Sequence, residues 1–210
     1  MASPAELVET ISRATGVALP TVVDIDRKLV KANLRAKAGR GLHAAQMTAL
    51  DAARLLTAVL ASPQATASAE AVERYAETRV DKTRSSDNLY AAAQLGDLSA
   101  LPAGHSFVDG LTTLIESASK GALAKLFPKA GDSTTPQIEV FAFTRGTRGR
   151  IRIAGLPNRL TASVEYGPMR GVHPPPPSVP GDLEQSRRIT ERTILAVAQI
   201  LGSEASDDRK

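Results

Sequence analysis

Gly16-Val17-Ala18-Leu19-Pro20-Thr21-Val22-Val23-Asp24-Ile25-Asp26-Arg27-Lys28-Leu29-Val30-Lys31-Ala32-Asn33-Leu34 is the stretch whose reading decides the fold. Val22, Ile25, Leu29 and Val30 recur at helical spacing, so a helix begins near Pro20 or Thr21 and runs through Asn33. Gly16 supplies the left-handed backbone of a tight turn just before it. Upstream, Ser3 caps a helix with Pro4 at its first position, and Leu7, Val8, Ile11 and Ala14 form its apolar face. Ser12 is small enough to let the next helix cross close by, and Ile11, Val17, Val22 and Ile25 bracket the turn with apolar groups. Thr15 is the one position less apolar than such a crossing uses.

Downstream, the segment from Arg35 to Gln46 holds Gly39 and Gly41 and keeps no period, so it reads as loop or ribbon. Thr48 with Asp51 three residues on then opens a helix through Ala52, Leu55, Leu56, Val59 and Leu60. Residues 27–50 carry six basic side chains (Arg27, Lys28, Lys31, Arg35, Lys37 and Arg40) and no acid. Against a net charge of +4, this leaves the remainder of the chain at −2, the uneven distribution of a phosphate-binding face.

With those residues in place, residues 6–61 resemble the winged helix-turn-helix DNA-binding domains of bacterial and bacteriophage regulators. The resemblance implies a reading helix from Pro20 to Asn33 that enters the major groove. It also implies a basic wing from Arg35 to Gln46, with Arg40 between two glycines at its tip. The DNA-binding residues it points to are Thr21, Asp24, Arg27, Lys28, Lys31, Arg35, Lys37 and Arg40. Asp24 and Asp26 depart from a phosphate-seeking face, although an Asp can accept a hydrogen bond from a cytosine amino group. The same helix crossing also serves three-helix bundles that contact only protein.

Beyond Ala61, residues 62–86 read as a linker with a short helix, Ala69 to Val80, and residues 87–202 as a second, α+β domain for dimerisation or partner binding. Its firmest element is a helix from about Ser106 to Phe127, through Phe107, Leu111, Leu114, Ile115, Ala118, Ala122 and Leu126. Gln137 to Thr144 and Arg150 to Ala154 alternate as a β-hairpin, Leu160 to Tyr166 adds a third strand, and Asp182 to Leu201 closes the chain as a helix. Pro174 to Pro177 form a stiff spacer, and residues 203–210 a disordered tail. The fold expected is therefore mainly α with an α+β C-terminal domain, antiparallel strands packed with two helices. The hairpin also carries a possible second basic surface: Arg145, Arg148, Arg150, Arg152 and Arg159 occur with no acid from 144 to 164. Arg150 and Arg152 share its wet face, opposite Ile151 and Ile153, and such a ribbon could track phosphates or meet an acidic partner.

Composition narrows the chemistry. The 210 residues include no Cys, which excludes disulfides, thiolate metal sites and cysteine nucleophiles, and agrees with a reducing cytoplasm. No apolar run approaches the ~18 residues of a membrane span, and the first residues have no basic or apolar leader. His43, His105 and His173 lie far apart without metal-ligand spacing, and neither Gly39-Arg40-Gly41 nor Gly146 to Gly149 has the setting of a phosphate-binding loop. The chain reads as a cytoplasmic, non-enzymatic protein needing no cofactor or metal. Its expected partners are double-stranded DNA and a second copy of itself, as a dimeric transcriptional regulator of phage or mobile-element origin. A DNA-recognition subunit of a phage packaging or replication complex and a protein-only adaptor are the alternatives.

Overall fold

The computed structural model describes residues 2–37, 46–62, 64–85, 100–127, 137–143, 147–155, 161–168 and 185–202. Its helices start where short polar side chains can satisfy the free backbone N–H groups of a first turn. Helix α1 (Pro4–Thr15) is capped by Ser3, whose Oγ accepts from Glu6 N while the Glu6 carboxylate accepts from Ser3 N. The same reciprocal box opens α3 (Ala49–Ala61), through Thr48 and Asp51. It recurs at α5 (Phe107–Ser119), through Ser106 and Asp109. Helix α2 (Leu19–Lys31) lacks a side-chain cap and relies on Pro20 in its first turn. Among the described residues the remaining α-helices are α4 (Ser68–Ala76), α6 (Ala122–Leu126) and α7 (Glu191–Gly202).

The other layer is a five-stranded antiparallel sheet of β1 (Arg79–Val80), β2 (Ile138–Phe143), β3 (Arg148–Ile153), β4 (Ala162–Gly167) and β5 (Ser186–Thr190), ordered β1-β4-β3-β2-β5. Strands β2, β3 and β4 follow the alternation read from the sequence. Ile138, Val140, Ala142, Ile151, Ile153, Val164 and Tyr166 are buried on one face, and α3, α5 and α7 pack against the sheet from that side. Gly149 makes room there for the Phe107 ring, which a Cβ at that position would strike. Phe107 in turn meets the rings of Tyr75 and Tyr166 edge-on at 5.2 and 5.6 Å. The Tyr75 hydroxyl, on α4, reaches the carbonyls of Phe143 and Arg148 at 2.9 and 2.8 Å, which fixes that helix to the root of the β2–β3 hairpin.

Helix α3 lies at the centre. Ala52, Ala53, Leu55, Leu56, Thr57, Ala58, Val59 and Leu60 are all at most 3% exposed, so beyond its first turn, where Leu50 is exposed, the helix is enclosed on nearly all sides with only Arg54 half-buried. Its neighbours are α2 and α4 on one side and α5, α7, β2 and β5 on the other, while α1 packs on α7. A single apolar core thus joins residues from Ala2 to Ala198. The segments expected as a 3–61 domain, a 62–86 linker and an 87–202 domain all contribute to it: α3 packs on C-terminal elements, and the segment expected as a linker supplies Tyr75.

Three element boundaries also differ. The helix expected over 106–127 breaks at Gly121, whose φ is 77° and which starts α6. The helix expected to reach Val80 stops at Ala76 because Arg79 and Val80 pair with Gly167 and Tyr166. The helix expected from Asp182 begins only at Glu191, since Ser186 to Thr190 satisfy their backbone along β2 instead. The terminal tail and the Pro174 to Pro177 spacer lie outside the described residues. No helix among the described residues is long and apolar enough to cross a membrane.

A shared core predicts that residues 1–62 alone give no cooperative thermal or urea transition, because the far side of α3 would face water. In the whole chain Leu55→Ala should cost about 2–5 kcal/mol. Circular dichroism and tyrosine fluorescence should report that loss at one common midpoint, and two separated midpoints would contradict it.

Candidate nucleic-acid interface

The turn between α1 and α2 is built from the residues that bracket it. Gly16 takes φ 73°, and its N–H bonds the Ser12 carbonyl at 2.9 Å. The Ser12 hydroxyl donates to the Val17 carbonyl at 2.7 Å, so the small residue also holds the turn. Thr15, the position that looked too polar, donates to the Ile11 carbonyl at 2.6 Å and accepts from Val17 N at 3.4 Å. At the far end Asn33 takes φ 57°, with Leu34 N on the Leu29 carbonyl and Asn33 N on the Val30 carbonyl. This pair of bonds ends α2 two residues before the expected boundary.

Val22, Ile25, Asp26 and Leu29 are the buried side of α2, which leaves Thr21, Asp24, Arg27 and Lys31 exposed and Lys28 half-buried. Five of the eight proposed DNA-contacting residues therefore share one outward face. That face is not wholly cationic, because Lys28 pairs with Asp24 one turn earlier at 3.7 Å. Lys37 is exposed beyond the helix end, and Arg40 lies outside the described residues.

Arg35 departs from its expected role. Its side chain is 4% exposed and forms an ion pair with Asp26, with Nη2 donating to Oδ2 at 2.6 Å and Nε close to Oδ1. Nη1 also donates to the Ala36 carbonyl and to Met47 Sδ. A guanidinium so engaged is a structural latch, and phosphate cannot reach it without breaking the pair. Burial pushes the Asp26 carboxyl above its usual range, and Arg35 opposes that shift. The latch continues into α3: Ala36 N donates to Asp51, and Arg54 donates to the Leu34 carbonyl at 2.8 Å. On the return path Met47 N bonds the Ala2 carbonyl at 3.0 Å. Residues 31–37 and 46–48 contain no strand, and the glycine-flanked tip lies outside the described residues.

The second basic surface is likewise partly neutralised. Arg150 pairs with Glu165 on the neighbouring strand, while Arg152 and Arg188 both bind Glu139. Arg148 stands over the Phe143 ring at 5.1 Å, and Arg145 lies outside the described residues.

Beside the N-terminal end of α5 is an open cleft of about 620 Å³, lined by Leu50, Arg79, Leu101, His105, Asp109 and Glu116 among others. The carbonyl of Pro102 can only accept, so His105 donates to it from Nδ1 at 2.8 Å. Nε2 of the neutral ring then accepts from the Tyr166 hydroxyl at 3.0 Å. Both ring nitrogens are committed to the fold, which leaves none to serve as a base or metal ligand toward the cleft. Burial lowers the His105 pKa below its ordinary 6.5. The neutral ring therefore stabilises the fold fully above pH 6.5, and that contribution is lost as pH falls below it, where the unfolded chain takes up the proton more readily. The urea midpoint should accordingly drop between pH 7.5 and 5.5 by more in the wild type than in His105→Gln, and equal drops would refute the assignment.

Compared with known proteins, the chain matches no family model, no curated sequence and no solved structure.

Proposed function

We propose that the chain binds double-stranded DNA in a sequence-specific manner through the outward face of α2, with α1, the Gly16 turn and α2 acting as a helix-turn-helix. The observation that carries this reading is the combination of a helix fixed along one side by the core with Thr21, Arg27 and Lys31 exposed along the other. Together with the exposed Asp24 those positions recur at three- and four-residue intervals, the spacing by which a helix lying in the major groove presents side chains to base edges. Lys28 and Lys37 flank the face as phosphate contacts, and Arg35 acts beneath it by tying the segment that follows α2 to Asp26 and Met47.

A single reading helix covers only ~3–4 base edges, so sequence-specific regulation calls for two copies on paired half-sites. The dimer, the regulatory role and the phage or mobile-element origin extend the resemblance of residues 6–61. The packaging or replication subunit remains the variant in which the same helix acts within a larger ring. The protein-only reading has one observation of its own, Leu19, which is 42% exposed at the start of the proposed reading helix.

Selection of bound sequences from random duplexes by the full-length protein tests the proposal. Arg27→Ala should then cost ~1–3 kcal/mol on the selected site and relax its sequence preference. Lys37→Ala should weaken selected and random duplexes alike and reduce the log-log salt slope by about 0.9. Folded protein that retains no duplex at ~50 mM salt, where phosphate contacts are strongest, would sink the DNA reading in favour of a protein partner.

A further inference from the structure

The face of the sheet away from the helices carries a second surface of different chemistry. Across the central strands the register places Ser163, Arg152, Glu139 and Thr190 in one row, and Glu165, Arg150, Phe141 and Arg188 in the next. Beyond them Phe143 lies opposite Arg148 and Ser186. Among the described residues the helices that pack on the sheet lie on its other side, with Ile151, Val140 and their neighbours.

Two aromatic rings on this face are not what water-facing alternation supplies. The chain has only four Phe and no Trp. Phe107 and Phe127 fill the core, whereas Phe141 and Phe143 sit two apart on β2, partly exposed, near-parallel at 17° with centroids 6.3 Å apart. Guanidinium groups border them: Arg148 is 5.1 Å from the Phe143 centroid, and Arg150 is 5.6 and 5.9 Å from Phe143 and Phe141. Among the described residues this face carries Arg148, Arg150, Arg152 and Arg188 together with Glu139 and Glu165. The side chains of Arg150, Arg152 and Arg188 stay 41%, 42% and 50% exposed while making their ion pairs. Each guanidinium has five N–H donors and gives only part of that set to a carboxylate.

We infer that this open face binds single-stranded nucleic acid, with two bases stacking on Phe141 and Phe143 and the arginines of β3 and β5 holding the adjoining phosphates. Adjacent rings framed by guanidinium groups on an open sheet suit unpaired bases, whose faces are free to stack; in a duplex those faces are covered. The exposed guanidinium groups of Arg150, Arg152 and Arg188, with donors to spare beyond their ion pairs, complement a phosphate backbone. An acidic protein partner would use the arginines but has no need of paired rings. The site is separate from α2 and does not depend on the duplex proposal.

The test is fluorescence anisotropy of the full-length protein with a labelled oligothymidylate of about 20 nucleotides at ~50 mM salt. Phe141→Leu and Phe143→Leu keep an apolar side chain on a partly exposed strand face but remove the ring. Each should weaken binding by about 5- to 150-fold with unchanged circular dichroism. Phe143→Tyr, which keeps a ring, should restore most of it, and Arg27→Ala should leave it unaltered. The inference is overturned if wild-type protein binds no oligothymidylate, if the Leu variants bind as well as wild type, or if oligoglutamate competes as effectively as unlabelled oligothymidylate. Loss of duplex binding in Arg27→Ala with retention here would support both surfaces, and failure of duplex binding alone would leave this one standing.

Discussion

The constraint on which the rest of the structure depends is the burial of α3 from Asp51 to Ala61, where only Arg54 stays half-buried. A helix whose Leu55, Leu56 and Leu60 must leave water, and whose Ala52, Ala53 and Ala58 are equally enclosed, needs partners on every side. Its alanines let those partners come close. The two ends are tied as firmly as the middle. Thr48 and Asp51 satisfy the first turn, and Arg187 from β5 donates to the Val59 and Ser62 carbonyls at 3.0 Å, placing a cation at the negative end of the helix. Through Asp51 and Arg54 the same helix holds the backbone of residues 34 and 36, and so determines where α2 stops. The outward face of α2 and the outer face of the sheet are thus presented by one core.

How much of this the sequence disclosed follows from the range of the interaction involved. The reciprocal caps of α1 and α3 each lie within four residues, and Thr48 with Asp51 was readable in that form. The alternation of β2, β3 and β4 was readable too, because one face of each must be apolar. The segment Ser186 to Thr190 was not, since its apolar residues also fit the helix that follows and only pairing with β2 selects the strand. The single core was hidden for another reason. Attention to the large residues of α3 defines one stripe, whereas Ala49-Leu50-Asp51-Ala52-Ala53-Arg54-Leu55-Leu56-Thr57-Ala58-Val59-Leu60-Ala61 contains only two charged residues and is apolar almost all round. That was the available sign of a central helix.

Charge reading failed in the same way at both basic segments. The acid-free window from 27 to 50 starts one residue after Asp26, the partner of Arg35. The window from 144 to 164 ends one residue before Glu165, the partner of Arg150, and Glu139 lies just upstream on the strand beside Arg152. A linear tally of charge cannot register a partner brought in by a turn or a strand register. What survives is smaller and better placed: Arg27, Lys31 and Lys37 on and just beyond α2, and arginines around paired Phe rings on the sheet. Thr15 shows the converse, a residue that looked unsuited to its position and holds the turn through its hydroxyl.

Native-state hydrogen exchange through a series of denaturant concentrations tests the single core most directly. If α3 binds the chain into one cooperative unit, the slowest amides of α1, α3, α5 and β2 should converge on one opening free energy with the full denaturant dependence of global unfolding. Convergence of α1 to α3 on a lower free energy than α5 and the sheet, with a smaller denaturant dependence, would show that the N-terminal helices open as a separate domain and would contradict the account.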